Sequence, residues 1–170
     1  MSMHPDAALL VRTLELGVHP EGGFYRETFR SPLAVAALSW LAGGEERSAS
    51  TAIYFLLPAG TFSAIHRVMA DEVWHHYDGD PLDLHTFDER GTHEVVRLGR
   101  NVAAGERPQC VVPGGVYQAA VPLGERYALC GCTVAPGFDF ADFSMPARDE
   151  LVRAFPRHRA LVEALTRVSA

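Results

Sequence analysis

The sequence predicts an all-β domain of mainly antiparallel strands, with a short helix at its start and a helical tail at its end. Three observations lead there. Short segments rich in β-branched and aromatic residues recur from residue 24 to residue 134. Pro, Gly and charged clusters separate them at intervals too short for helical crossovers, so the sheet must be mainly antiparallel. Helical periodicity is confined to the two ends of the chain.

From Asp6 to Leu16, the residues Ala7, Leu10, Val11 and Leu14 fall at helical spacing, with Gly17 as the expected stop. The expected strands are Phe24 to Arg30, Thr51 to Leu57, Phe62 to Val68, Glu72 to Tyr77, Leu82 to Phe87, His93 to Leu98, Gln109 to Val112, Val116 to Val121 and Tyr127 to Val134. Leu41 to Ser50, with Gly43-Gly44-Glu45-Glu46, is polar and glycine-rich and reads as a surface loop. The tail is helical from Ala147 to Phe155, breaks at Pro156, and continues with Ala160, Leu161, Ala164, Leu165 and Val168 on one face, which packs outside the sheets. Such a set of elements fits a sandwich, a jelly roll or a barrel.

A chain of 170 residues with 48% hydrophobic and 21% charged residues is one globular domain, 1–170, able to bury about 70% of its unfolded surface. Fifteen basic against 21 acidic residues, with no basic cluster, argue against nucleic acid as a partner. The longest apolar runs, such as Ala52 to Leu57, are far short of the roughly 20 residues a membrane span requires. The N-terminus lacks a charged-then-apolar signal pattern, so a cytoplasmic location is expected. Cys110, Cys130 and Cys132 form neither an even disulfide framework nor a Cys-x-x-Cys pair and read as reduced, buried thiols.

The chemistry concentrates between Gly60 and Gly79. His66 lies near the end of one strand and Glu72 at the start of the next, with Met69 to Asp71 as the turn, so a hairpin would bring both onto one face. Parity from Glu72 places Trp74 and His76 on that face and His75 and Tyr77 on the other. A second segment, Pro108 to Ala120, reads as strand, Pro-Gly-Gly turn and strand, and sets Gln118 where an apolar residue is the norm.

The spacing Gly60-x5-His66-x5-Glu72-x6-Gly79 resembles the first motif of the cupins, and Pro113-x-Gly115-x2-Gln118 resembles the second. The runs His19 to Thr28, Asp71 to His75, Gly79 to Leu82 and Pro136 to Phe140 resemble the uncharacterised cupin subfamily first described as a domain of unknown function, DUF985. The resemblance implies a double-stranded β-helix, the cupin jelly-roll barrel, usually as a homodimer, akin to bacterial sugar-nucleotide epimerases. An apolar strand from Leu33 to Trp40, exposed on a lone barrel, points to a dimer as well. Metal-binding cupins use two histidines and a glutamate from the first motif and a histidine from the second. By position His66 and Glu72 match, whereas Val68 and Gln118 replace the other two histidines. That leaves His66, Glu72 and Gln118 as the candidate set for a divalent Zn, Mn, Fe or Ni ion, with His76 able to fill the gap.

Three functions follow. The first is a metal-independent isomerase or epimerase of a carbohydrate-like or sugar-nucleotide ligand, with His66, Glu72 and His76 as the catalytic candidates and Tyr25, Tyr54, Tyr77 or Tyr117 as the acid. The second is a divalent-metal enzyme. The third is a non-catalytic metabolite-binding protein using the same pocket. Arg26, Tyr54, Ser63, Trp74, His75 and Gln118 are the candidate contacts to the small-molecule ligand. Arg26, alternating with Phe24 and Thr28, either meets an anionic group or pairs with a neighbouring acid.

Overall fold

The structure is a computed structural model that describes residues 3–36 and 46–167. Helix α1 (Pro5–Thr13) begins with a proline in its first turn, where a missing N–H costs nothing, and the His4 ring accepts the N–H of Asp6. It stops sooner than expected. Leu14 caps it, Glu15 takes the turning conformation at φ 55°, and Gly17 has already entered β1 (Gly17–Val18).

The remaining strands are β2 (Phe24–Arg30), β3 (Ala34–Val35), β4 (Arg47–Ser48), β5 (Thr51–Pro58), β6 (Ser63–Val68), β7 (Asp71–Gly79), β8 (Leu82–Phe87), β9 (His93–Leu98), β10 (Gln109–Val112), β11 (Tyr117–Pro122), β12 (Tyr127–Ala135) and β13 (Phe143–Ser144). They form one sheet in the order β1-β2-β5-β12-β7-β10 and a second in the order β13-β6-β11-β8-β9, with every ladder antiparallel. The expected strands are all present, within a few residues at their ends. Two expectations need correction. The end of the Leu41 to Ser50 loop is strand β4, which pairs with β3. Of the strand expected from Leu33 to Trp40, only Ala34–Val35 is extended in a ladder, and residues 37–45 lie outside the described residues.

A third correction concerns the site. β6 and β7 do not pair as a hairpin; they belong to opposite sheets, and the turn between them carries the chain across the barrel. His66 lies opposite Gln118 on β11, while Glu72 lies opposite Val112 and Val134 on β10 and β12. His66 and Glu72 therefore approach each other across the interior rather than along one ladder.

Between the sheets, inward residues of alternating strands build the core: Phe55, Leu57, Trp74, Leu82, Leu84, Leu98, Val112, Ala120, Ala128 and Cys130 are all buried. Helix α1 covers the outer face of the first sheet, setting Ala7 against Leu56, Tyr127 and Leu129. The tail comprises α2 (Arg148–Ala154), a 3₁₀ turn (Pro156–His158) and α3 (Arg159–Ala164). It seats Leu151, Phe155, Val162 and Leu165 on the outward Ile65, Phe87 and Ala119 of the second sheet. Each such side chain contributes roughly 1.5–3 kcal/mol by leaving water. Among the described residues no helix is long and apolar enough to cross a membrane.

Candidate active site

Two β-bulges shape the interior. Along β6 and β11 the pairing steps from Gln118↔His66 to Ala120↔Ser63, which leaves one extra residue on β6. Strict alternation would put Ser63 and His66 on opposite faces. The bulge turns both inward. On β2 the register slips at Thr28, so Glu27 and Arg30 share the inner side, and the Arg30 guanidinium grips the Glu27 carboxylate at 3.0 and 2.7 Å.

At one end of the barrel the core gives way to a cavity of about 450 Å³. Its floor carries His19, Glu21, His66, Glu72 and Cys132; Tyr25, Ile53, Phe55, Val134 and Phe138 form walls, and Arg26, Glu27, Arg30 and Asp139 stand at the mouth. The turn from β1 to β2 delivers His19 and Glu21. Gly22 and Gly23 follow at φ 117° and 72°, conformations that favour glycine, and a Cβ on either would strike the Phe62 or Leu56 carbonyl. That turn aims a carboxyl into the buried interior.

Glu21 is 5% and His66 2% exposed. Glu21 Oε1 accepts a hydrogen bond from Ser63 Oγ at 2.8 Å, and Oε2 lies 3.3 Å from His66 Nε2 and 3.4 Å from His19 Nδ1. His66 Nδ1 donates to the Ala64 carbonyl at 2.8 Å, which leaves the lone pair of a neutral ring on Nε2. His19 Nδ1 accepts the Glu21 backbone N–H at 3.4 Å, so its lone pair also faces the carboxyl. One oxygen between two lone pairs requires a proton: Glu21 is a carboxylic acid donating to imidazole, not the anion of an ion pair.

The electrostatics agree. Burial pushes the Glu21 carboxyl up to about 8, against the opposing pull of the Ser63 hydrogen bond and the Arg167 charge. Burial draws His19 down to about 4, helped by His66. It also lowers His66, opposed by Glu72 and by the Ala64 carbonyl. Glu72 is raised by burial, with His66 acting against the rise and Glu21 adding to it. The floor thus sets one carboxylic acid, Glu21, between neutral imidazoles, with the Glu72 carboxyl raised beside them.

Gln118 ties the sheets together beneath this floor. Its side-chain NH₂ donates to Glu72 Oε2, while its oxygen accepts Trp74 Nε1–H at 2.8 Å. The amide is thereby committed on both sides. Its oxygen, the candidate metal donor, is a weak ligand already engaged by Trp74, Val68 occupies the place of a second histidine, and among the described residues no three or more His, Cys, Asp or Glu side chains are grouped to hold an ion. His66, Glu72 and Gln118 do not fit a metal centre.

Of the remaining candidates, Arg26 reaches the mouth, but its guanidinium is on the outer face and bonded to Glu15 at 2.9 Å, a partner in the α1–β1 connection rather than a strand neighbour. Ser63 and Trp74 stand behind the floor and act through Glu21 and Gln118. His76 faces inward, yet outside the cavity lining, with Nε2 donating to the Asp80 carbonyl at 2.9 Å and a buried Nδ1 that has no hydrogen-bond partner. Tyr54 and His75 do not line the cavity; they lie on the outer face of the first sheet with Tyr77. Tyr25 is the tyrosine that lines it, edge-on to His19 at 4.6 Å between centroids. Cys110, Cys130 and Cys132 are free thiols, and burial holds all three above the usual thiol range. The residues missed from sequence were His19 and Glu21, although an acid directly before Gly22-Gly23 marks a turn able to carry it inward.

Comparison with known proteins places this geometry in a class. Oxalate decarboxylase from Bacillus subtilis superposes at TM-score 0.55 and 15% identity over 87% of this chain and 36% of its own, and CapF at 0.53 and 13% over 76% and 33%. At that identity they share the fold, the jelly-roll barrel of the cupins. The chain belongs to the Cupin superfamily (DUF985), whose family model matches residues 8–146. Similar structures include a protein from Shewanella oneidensis (TM-score 0.85, 36% identity, 99% of this chain and 100% of that one) and a hypothetical protein from Leishmania major (0.85, 33%, 95% and 99%). An uncharacterised protein of Saccharomyces cerevisiae is 31% identical over 154 residues, 84% of this chain and 76% of its own length.

Proposed function

We propose that this cupin binds a small carbohydrate-like metabolite in the barrel cavity and isomerises or epimerises it by proton transfer. The observation that carries the reading is the buried Glu21 carboxylic acid bonded to the lone pair of His66 at the cavity floor. An acid titrating at about 8 beside a neutral imidazole can give and take protons near neutral pH, where general acid–base catalysis works best. Glu21 gives its proton to the carbonyl oxygen, which frees His66 Nε2 to take one from the carbon next to that carbonyl, giving an enol. Return of a proton to the other face inverts the centre, and return to the neighbouring carbon moves the carbonyl; no net oxidation occurs. Glu72, held by Gln118, polarises His66 from the far side.

Two further points favour proton transfer. The chain has no lysine, so an imine mechanism has no side-chain amine to start from. The cavity also lies within the roughly 300–1,000 Å³ range of small-molecule sites. With carboxyls and neutral imidazoles at its floor, it suits a neutral polyhydroxy or carbonyl group inside, and any phosphate of a sugar nucleotide belongs at the Arg30 side of the mouth. A cytoplasmic homodimer completes the proposal. The second copy would cover the cross-strand row Phe29, Ala52, Thr133, Val73 and Val111 on the outer face of the first sheet, where Phe29 and Val111 are 51% and 56% exposed.

The test is ligand-induced thermal stabilisation across a library of sugars, sugar phosphates and sugar nucleotides, followed by solvent deuterium incorporation for each hit. A hit should acquire deuterium with wild type and not with His66→Ala. Stabilisation without incorporation would leave a binding protein, and no stabilisation by any compound would remove the carbohydrate assignment. Light scattering that gives a monomer at micromolar concentration would remove the dimer.

A further inference from the structure

The bulge that brings Ser63 and His66 to one face leaves two backbone N–H groups of β6 out of the ladder, and both find partners outside the sheet. Ala64 N–H donates to the Glu21 carbonyl at 2.8 Å, and Ile65 N–H donates to the Leu165 carbonyl at 2.9 Å, at the end of α3. Two residues on, Arg167 closes the arrangement. Its Nη2 donates to the Glu21 carbonyl at 3.1 Å and the Phe62 carbonyl at 3.3 Å, and its guanidinium lies 5.1 Å over the Phe62 ring. A Cβ on Gly22 would occupy the place of this guanidinium, so the glycine and the arginine fit one another.

We propose that Arg167 is a positioning residue for Glu21, so that the C-terminal tail, beyond the residues matched by the family model, is part of the acid–base site. The tail ties down two of the segments that build that site, β6 and the turn from β1 to β2. Leu165 props the bulge behind Ser63 and His66, and Arg167 clips the turn that carries His19 and Glu21 to the start of β6. Its charge also pulls the Glu21 carboxyl toward ionisation where burial opposes it. Geometry and charge come from one side chain. This inference deepens the proposed function, resting on Glu21 as the acid of that site, but its test needs no substrate.

The experiment follows the Glu21 carboxyl by carbon-13 NMR in full-length protein labelled at the glutamate carboxyl carbon, with Glu21→Gln to assign the signal. In the wild type it should titrate near 8. In Arg167→Met the midpoint should rise by roughly one pH unit, with Arg167→Lys returning it most of the way. Should the Met variant not fold, Arg167→Gln, which keeps a donor and removes the charge, carries the comparison. A Glu21 midpoint that stays in place in a folded uncharged variant would overturn the proposal. Failure of the functional reading looks different: Glu21 responds to Arg167 as expected, yet no compound stabilises the protein.

Discussion

Glu21 Oε2 and His66 Nε2 are 3.3 Å apart, come from segments separated by more than forty residues, and are both shut off from solvent. Burial disfavours the charged form of both groups, so the acid keeps its proton and the ring stays neutral.

This arrangement predicts opposite pH dependences of stability for two neighbours. Glu21 holds its proton up to about 8 when folded and releases it near 4.5 when unfolded, so its contribution is full below 4.5 and is lost as pH rises through 8. His19, at about 4 folded and 6.5 unfolded, contributes fully above 6.5 and loses its effect as pH falls through 4. Melting temperatures measured from pH 4 to 9 should fall less steeply on the alkaline side for Glu21→Gln, and less steeply on the acid side for His19→Gln. Parallel profiles for wild type and both variants would contradict the assigned protonation states.

Gln118 is expected to matter more for stability than its distance from the cavity implies. Gln118→Leu leaves Trp74 Nε1–H without an acceptor and Glu72 without the amide donor, both inside the barrel. Two buried groups losing partners should cost about 2–4 kcal/mol in a denaturant titration. Dialysis against a chelator should leave the wild-type melting temperature unchanged, since the amide is already engaged on both sides.

Placement separates pocket residues from bystanders. Any compound that stabilises the protein should lose its effect in Glu21→Ala and Glu72→Ala and keep it in Tyr54→Phe and His75→Ala, which alter the outer face of the first sheet. Equal loss in all four, read from thermal-shift titrations, would move the binding site elsewhere.

The segment over the cavity is clamped by a buried ion pair. Arg47 and Asp142 are 9% and 8% exposed, with Nε to Oδ2 at 2.7 Å and Nη2 to Oδ1 at 3.0 Å. They tie β4 to the turn carrying Phe140 and Phe143, whose rings stack on His19 and His66. Removing one member strands a buried charge, so Arg47→Met should cost about 3–5 kcal/mol in a denaturant titration.

What the sequence determined by itself is whatever local spacing encodes: the strands, the terminal helices, the inward faces of Glu72, Trp74 and His76, and the cupin motifs around His66, Glu72 and Gln118. Period-two patterns and turn residues act over a few neighbours, and a single sequence displays them directly. The tertiary structure alone decided which strands share a sheet, so that His66 and Glu72 face each other across the barrel instead of along a hairpin. It also decided that a bulge returns Ser63 to the face of His66, that Arg26 turns outward to Glu15, and that Glu21 and Arg167 reach the site from opposite ends of the chain. Those outcomes depend on register slips and contacts between distant segments. Only the packed chain fixes them, because each is set by what fits and what stays hydrogen-bonded once water has left.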